Sequence, residues 1–148
     1  MKIQDYKDLK VWQMGIEIVD KVYSITDNSP KAELYALTSQ MRRAAVSIPS
    51  NTAEGFARRH TKEYKPFLSI SLGSCAELNT QLIIAHRRNY VTKEKLKELS
   101  EAIDHEARML ATLINKLGRT TSPETRATSD ESRATSDERR LTCNFPCI

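Results

Sequence analysis

The sequence predicts an all-α protein, an antiparallel up-down-up-down four-helix bundle over residues 1–118 followed by a disordered, low-complexity tail over 119–148. Three observations carry that prediction. Apolar residues recur at intervals of three and four in four separate segments, the spacing that lines one face of a helix. The 148 residues include only four glycines and five prolines, and no run of alternating β-branched residues reads as a strand. The connections between segments are short, which favours antiparallel neighbours.

The first helix is expected to start with Asp8 as N-cap and to carry Leu9, Trp12, Ile16, Val19 and Tyr23 on its core face, fading at Thr26-Asp27-Asn28. Ser29-Pro30 offers the next start, a capping residue followed by a proline whose missing N–H costs nothing in a first turn. Leu34, Leu37, Met41, Ala45, Ile48 and Thr52 then form one face of helix two. Thr61 can cap helix three, with the stripe Tyr64, Leu68, Leu72, Cys75, Leu78, Leu82 and His86. Thr92 can cap helix four, which repeats Leu96, Leu99, Ile103, Leu110, Ile114 and Leu117 and ends at Gly118. Glu106 and Ala107 interrupt that seam, and Glu106 is assigned with Glu101, Asp104 and His105 to a solvated face.

Residues 41–59 hold the densest information. Arg43, Ser47, Asn51, Glu54 and Arg58 form a second, polar stripe on helix two. Pro49 lacks the N–H that would bond to the Ala45 carbonyl, so the helix must either kink or restart there. A restart would use Asn51 as cap and Glu54 to close a capping box. A continuous helix would present the stripe, with Ser47, Asn51 and Glu54, to a partner. Helix three adds Ser69, Ser71, Gly73, Ser74 and Ala76, small side chains that suit close packing within the bundle or a contact between subunits through Ser69, Gly73 and Ala76.

The tail repeats a seven-residue unit at Glu124–Asp130, Glu131–Asp137 and Glu138–Asn144. Ala127 and Ala134 are its only apolar candidates for a coiled-coil seam in the first two units, too little apolar surface to offset the entropy of ordering. The tail is electrically neutral, and the whole net charge of +4 belongs to residues 1–118. Residues 31–90 hold nine Lys and Arg against four Asp and Glu. Arg42, Arg43, Arg58, Arg59, Lys62, Lys65, Arg87 and Arg88 are therefore the candidate phosphate contacts, because each neutralised phosphate releases counterions whatever the base sequence. The plain alternative for Arg58, Arg59, Arg87 and Arg88 is service to the helix dipole in last turns.

Catalysis is not expected. A di-iron bundle site needs Glu-x-x-His pairs, and none of His60, His86 or His105 follows a glutamate by three residues. There is no phosphate-cradling glycine loop, nucleophile elbow or His-Glu-x-x-His pair. Cys75 reads as a small core hydrophobe. Cys143 and Cys147 supply half of a tetrahedral metal site with no histidine after position 105, and Cys147 is misplaced for prenylation. No cofactor or metal is expected. The longest aliphatic run, Leu82-Ile83-Ile84-Ala85, is far short of the ~20 residues that span a bilayer. With three cysteines and no secretory signal, the expected location is the cytoplasm and no membrane partner is expected.

Asp8-Leu9-Lys10-Val11-Trp12, Leu37-Thr38-Ser39-Gln40-Met41-Arg42-Arg43-Ala44-Ala45, Ser47-Ile48-Pro49-Ser50-Asn51 with Ala53-Glu54-Gly55, and Phe67-Leu68 with Leu72-Gly73-Ser74 and Glu77-Leu78 occur in that order. Together they closely resemble the four-helix-bundle proteins encoded in intervening sequences of bacterial 23S ribosomal RNA genes, over nearly all of residues 5–118. Thr52 stands where that family usually has an aliphatic residue. The resemblance implies a homopentamer. It also implies likeness to an accessory protein of diversity-generating retroelements, a basic pentamer that engages nucleic acid and a reverse transcriptase.

The expectation is thus a non-enzymatic, homo-oligomeric bundle that binds RNA or DNA with little sequence preference. The alternatives are a scaffold that recruits another protein through helix two, and the product of a neutral or selfish insertion with no host role.

Overall fold

The computed structural model describes residues 3–27, 29–58 and 60–119, the side chains of residues 61 and 119 excepted. The repeat tail from residue 120, on which the expectation of disorder falls, lies outside the described residues. Four helices make up the fold: α1 (Lys10–Thr26), α2 (Leu37–Ala57), α3 (Thr61–Arg87) and α4 (Lys93–Arg119). α2 packs most extensively on α3, α1 packs on α2 and α4, and α3 packs on α4, while the backbones of the diagonal pairs stand farther apart. The helices therefore stand at the corners of a square. Paired residues run in opposite directions between neighbours, as an up-down bundle requires: Thr26 with Arg42 and Gly15 with Pro49, Ser47 with Ser74 and Thr52 with Ser71.

The core is built from the seams read in the sequence, with one rotation. In α1 the buried residues are Val11, Gly15, Ile18, Val22 and Thr26, whereas Trp12, Ile16 and Val19 are half-buried and Tyr23 is exposed. The expected face is off by about one residue, because Gly15 and Thr26 occupy core positions that apolar counting passes over. α2 contributes Met41, Ala44, Ala45, Ile48 and Thr52; α3 contributes Leu68, Cys75, Leu78 and Leu82; α4 contributes Leu99, Ile103 and Leu110.

The helix starts differ from expectation in three places. Tyr6–Asp8 form a 3-10 turn capped by Asp5, whose Oδ1 accepts the Lys7 N–H at 2.9 Å, so Asp8 is inside a turn and Leu9 precedes α1 without a side-chain cap. Pro30 opens a second 3-10 turn, Lys31–Glu33, and not α2. The Glu33 carboxylate accepts the Leu37 N–H at 3.4 Å and the Tyr90 hydroxyl at 3.1 Å. That anchor places the start of α2 at Leu37 and leaves Leu34 exposed outside the helix. Thr61 is the first residue of α3 and not its cap; His60 precedes it with no capping side-chain bond. Thr92 does cap α4, its Oγ1 accepting the Lys95 N–H at 3.4 Å. Gly118 is followed by one further helical residue.

α2 passes through Pro49 without restarting. Asn51 is not a cap: its Nδ2 donates to the Ser47 carbonyl at 2.8 Å and to Ser47 Oγ at 2.9 Å, one turn back. Beside the proline the Ile48 carbonyl accepts both Thr52 Oγ1 and Ser71 Oγ at 2.9 Å. These bonds tie α2 to α3 at this point but do not reach the Ala45 carbonyl, which is the group that Pro49 deprives of its N–H partner.

Glu106 is the largest departure. It is fully buried, on the α4 seam between Ile103 and Leu110, and neither carboxylate oxygen has a hydrogen-bond partner among the described residues. Burial pushes its carboxyl up to about 8. The solvated-face assignment is wrong for Glu106 because it stands three residues after Ile103 and four before Leu110, which is a core position by helical geometry.

Candidate nucleic-acid interface

The proposed phosphate contacts divide between the ends of the bundle. At the α2–α3 corner, Arg58 follows the last residue of α2 and Lys62 lies in the first turn of α3, both exposed. Gly55 permits this corner to be tight, since a Cβ there would stand 2.7 Å from Phe67 Cβ and 2.8 Å from Tyr64 Cδ2. Phe56 meets Tyr64 edge to face, and burial pushes the Tyr64 hydroxyl, which has no hydrogen-bond partner among the described residues, up to about 12. Over this aromatic base the Arg58 guanidinium lies 5.3 Å from the Phe67 ring centre and donates to Glu54 at 2.9 Å. The pair with Glu54 is exposed on both sides, so its net worth is below about 1 kcal/mol and a phosphate can compete for the cation. Lys65 is half-buried, and Arg59 lies outside the described residues.

Arg87 and Arg88 stand at the other end of α3, roughly 40 Å away at 1.5 Å per residue over its 27 residues. The turn that presents them is well defined. Asn89 takes a left-handed φ of 61°, the Tyr90 N–H bonds to the Ala85 carbonyl and the Asn89 N–H to that of His86, a Schellman end. His86 Nδ1 and the Val91 carbonyl, 2.9 Å apart, tie the turn to the start of α4. Between the two ends α3 exposes Ile70, Gly73, Ala76, Glu77, Thr80, Ile83 and Ile84, so positive charge gathers at the ends and does not form a continuous stripe.

Arg42 and Arg43 lie near the start of α2. Arg42 is half-buried and committed, donating to Thr26 Oγ1 and Asp27 Oδ1 at 2.9 Å each while lying 4.6 Å over the Tyr23 ring. Arg43 is exposed and has no ion-pair partner among the described residues.

The residues proposed for subunit or partner contact also divide. Ser47 Oγ accepts from Ser74 Oγ at 2.9 Å and from Asn51, and Glu54 holds Arg58, so the polar stripe of α2 is largely satisfied within the chain. Ser69, Gly73 and Ala76 face outward, and a Cβ on Gly73 would meet nothing within 4 Å. Ser71 and Ser74 are buried against α2. Among the described residues no three His, Cys, Asp or Glu side chains converge as a metal site would need.

Residues 7–112 match the family model described as 23S rRNA-intervening sequence protein. The chain belongs to that family. The architecture of this intervening-sequence protein is similar to a crystal structure, at 1.70 Å, of a protein with unknown function from the S23 ribosomal protein family of Bacteroides thetaiotaomicron VPI-5482. The two are 20% identical, the match covers 70% of this chain and 97% of that one, and the TM-score is 0.64, a likeness of fold. No curated protein matches this chain.

Two features of the intervening-sequence protein escaped the sequence reading. One is the buried Glu106, for which position on the seam was the available signal. The other is the apolar surface of α3. Residues 62–87 have an 18-residue window of mean hydropathy 1.2, apolar enough in principle to cross a membrane, yet only a third of that window is buried in the bundle. Counting the aliphatic run alone missed this, because serines and threonines separate the isoleucines.

Proposed function

We propose that this intervening-sequence protein is a non-enzymatic, cytoplasmic, self-associating bundle that binds RNA or DNA backbones with little sequence preference. The observation that carries the reading is the placement of Arg43, Arg58, Lys62, Arg87 and Arg88, all exposed, toward the two ends of the bundle. Exposed, flexible cations suit a phosphate chain, whose contribution to affinity is electrostatic and independent of sequence. Association into a ring, with five copies in the family resemblance, would repeat these clusters around an axis and convert weak contacts into avid ones.

The test is a titration with structured ribosomal RNA fragments across a range of salt. Affinity should fall steeply with salt and weaken when Arg58 and Arg59 are both changed to alanine. Absent or salt-insensitive binding would sink the proposal.

A second reading, a protein scaffold without nucleic-acid binding, is favoured by the exposed Ile70, Ile83 and Ile84 of α3. It predicts a salt-insensitive protein partner whose binding is lost when Ile83 or Ile84 is changed to glutamate.

A further inference from the structure

The connection between α1 and α2 builds a surface that the bundle itself does not need. Pro30 breaks the chain, the 3-10 turn Lys31–Glu33 redirects it, and the Glu33 carboxylate fixes the turn to Leu37 and Tyr90. On this anchored segment Tyr35 is 91% exposed. A tyrosine presented in that way contributes almost nothing to the core, and the anchor lowers the entropy lost when it meets a ligand.

Tyr35 borders an open groove of about 740 Å³ that runs along the outer face of α2. Its floor includes the apolar side chains of Leu34 and Val46; its wall is Tyr23 with Arg42 stacked on it, and Arg43 stands alongside. Serines supply the remaining lining; among the described residues no carboxylate lines the groove, and Asp27 reaches it only as the partner of Arg42, which leaves Arg43 as its uncommitted cation. Aromatic faces beside hydroxyls and an unpaired arginine, Arg43, complement flat rings linked by phosphates. That is the composition of single-strand platforms, where bases stack and cations track the backbone. A duplex keeps its bases stacked on one another and cannot offer them to Tyr35.

We infer that this groove takes an unpaired stretch of nucleic acid, a base stacking on Tyr35 and a phosphate held by Arg43, with Arg42 held in position by Tyr23 and Asp27. The inference rests on the nucleic-acid reading above and specifies which form of nucleic acid this face selects. A peptide partner is the less apt occupant, because the groove's free cation would need an acidic segment and its exposed aromatic ring would then lack a matched flat surface.

Fluorescence anisotropy on the full chain tests it, with a labelled single-stranded 12-nucleotide RNA and a blunt duplex of the same sequence. Tyr35→Ala should weaken single-strand binding by about tenfold, with the salt slope and duplex affinity unchanged, and Tyr35→Phe should behave as wild type. Arg43→Ala should reduce the salt slope for the single strand by about 0.7. Thermal melting should be the same for Tyr35→Ala as for the parent, since the ring is exposed. If Tyr35→Ala binds the single strand normally, or loses single strand and duplex alike, the groove assignment is wrong, whereas the broader reading stands as long as Arg58 and Arg59 still matter. Failure to bind either RNA overturns both.

Discussion

Gly15 of α1 lies directly against the Pro49 ring of α2: a Cβ on the glycine would stand 3.2 Å from Pro49 Cβ and 3.3 Å from its Cδ. The missing side chain makes room for the ring at the point where α2 loses a backbone hydrogen bond. Alanine is a better helix former than glycine by about 1 kcal/mol, so helix propensity alone would make Gly15→Ala stabilising. The proline ring is rigid and part of the backbone, however, and cannot swing away as a long side chain would. Gly15→Ala should therefore lower stability by about 1 kcal/mol and Gly15→Val by roughly 3 kcal/mol, read from urea midpoints. Gly73 is the control, with open space where its Cβ would be. Gly73→Ala should stabilise the isolated bundle and, where Gly73 contributes to a subunit contact, weaken association instead.

Glu106 makes stability depend on pH with a definite sign. Its folded-state value of about 8 stands above the ordinary 4.5, and the cause is burial. Below pH 4.5 both folded and unfolded chains are protonated at this group and its full contribution is present. Between 4.5 and about 8 the unfolded chain has released the proton and the folded chain keeps it, so stability falls by about 1.4 kcal/mol per pH unit before levelling off. Among the described residues Cys75 is the other ionisable side chain that is wholly buried, and the Tyr64 hydroxyl is buried as well. The Cys75 thiol is itself pushed up to about 12, by burial first and then by the Glu106 carboxylate. Glu106→Met should flatten this component of the pH profile and raise stability at pH 8 by several kcal/mol, because a buried carboxyl without a hydrogen-bond partner, held protonated in the folded chain alone, is replaced by an apolar group of similar size. Urea unfolding between pH 4.5 and 9 measures both effects.

The fold was legible in the sequence because periodicity reports which side of a helix is apolar, and three of the four seams were read in the correct register. α1 was misread because Gly15 and Thr26 fill core positions without looking apolar, and Thr26 is satisfied by bonding its hydroxyl to the Val22 carbonyl at 2.7 Å. The start of α2 was misread because the contact that sets it, Glu33 with Tyr90, joins residues 57 positions apart. The exposed cations were legible as residue types. Their division between two ends follows from three-dimensional placement, and so does the groove at Tyr35, whose walls come from separate segments.

The hydroxyls of Thr52 and Ser71, 3.1 Å apart, join α2 to α3 inside the core and share the Ile48 carbonyl. Thr52→Val introduces the aliphatic residue usual in the resembling family at nearly constant volume. It leaves Ser71 bonded to Ile48, so it should cost only about 1 kcal/mol. Ser71→Ala should cost a similar amount. In a double-mutant cycle the combined variant should be less destabilised than the two singles added together, by about 0.5–1 kcal/mol, since the two single-proton hydroxyls serve one Ile48 carbonyl and bond each other only when one of them turns away from it. Strict additivity would show that the two hydroxyls act independently.

Ile70 is 50% exposed, and Ile83 and Ile84 are 44% exposed each, with Gly73 and Ala76 between them allowing another backbone to approach. A face of that character is stabilised by removal from water, at about 25 cal/mol per Å² of apolar surface covered. Its association should therefore persist as salt is raised, the opposite of the behaviour expected of the phosphate contacts. Light scattering at micromolar concentration in reducing buffer should give an oligomer for the wild type. Ile83→Glu, placed on the exposed face where it disturbs no core contact, should give a folded monomer with unchanged helical circular dichroism. If the oligomer dissolves in high salt while Ile83→Glu still assembles, the subunits are joined through charged surfaces and the exposed isoleucines of α3 are not the contact.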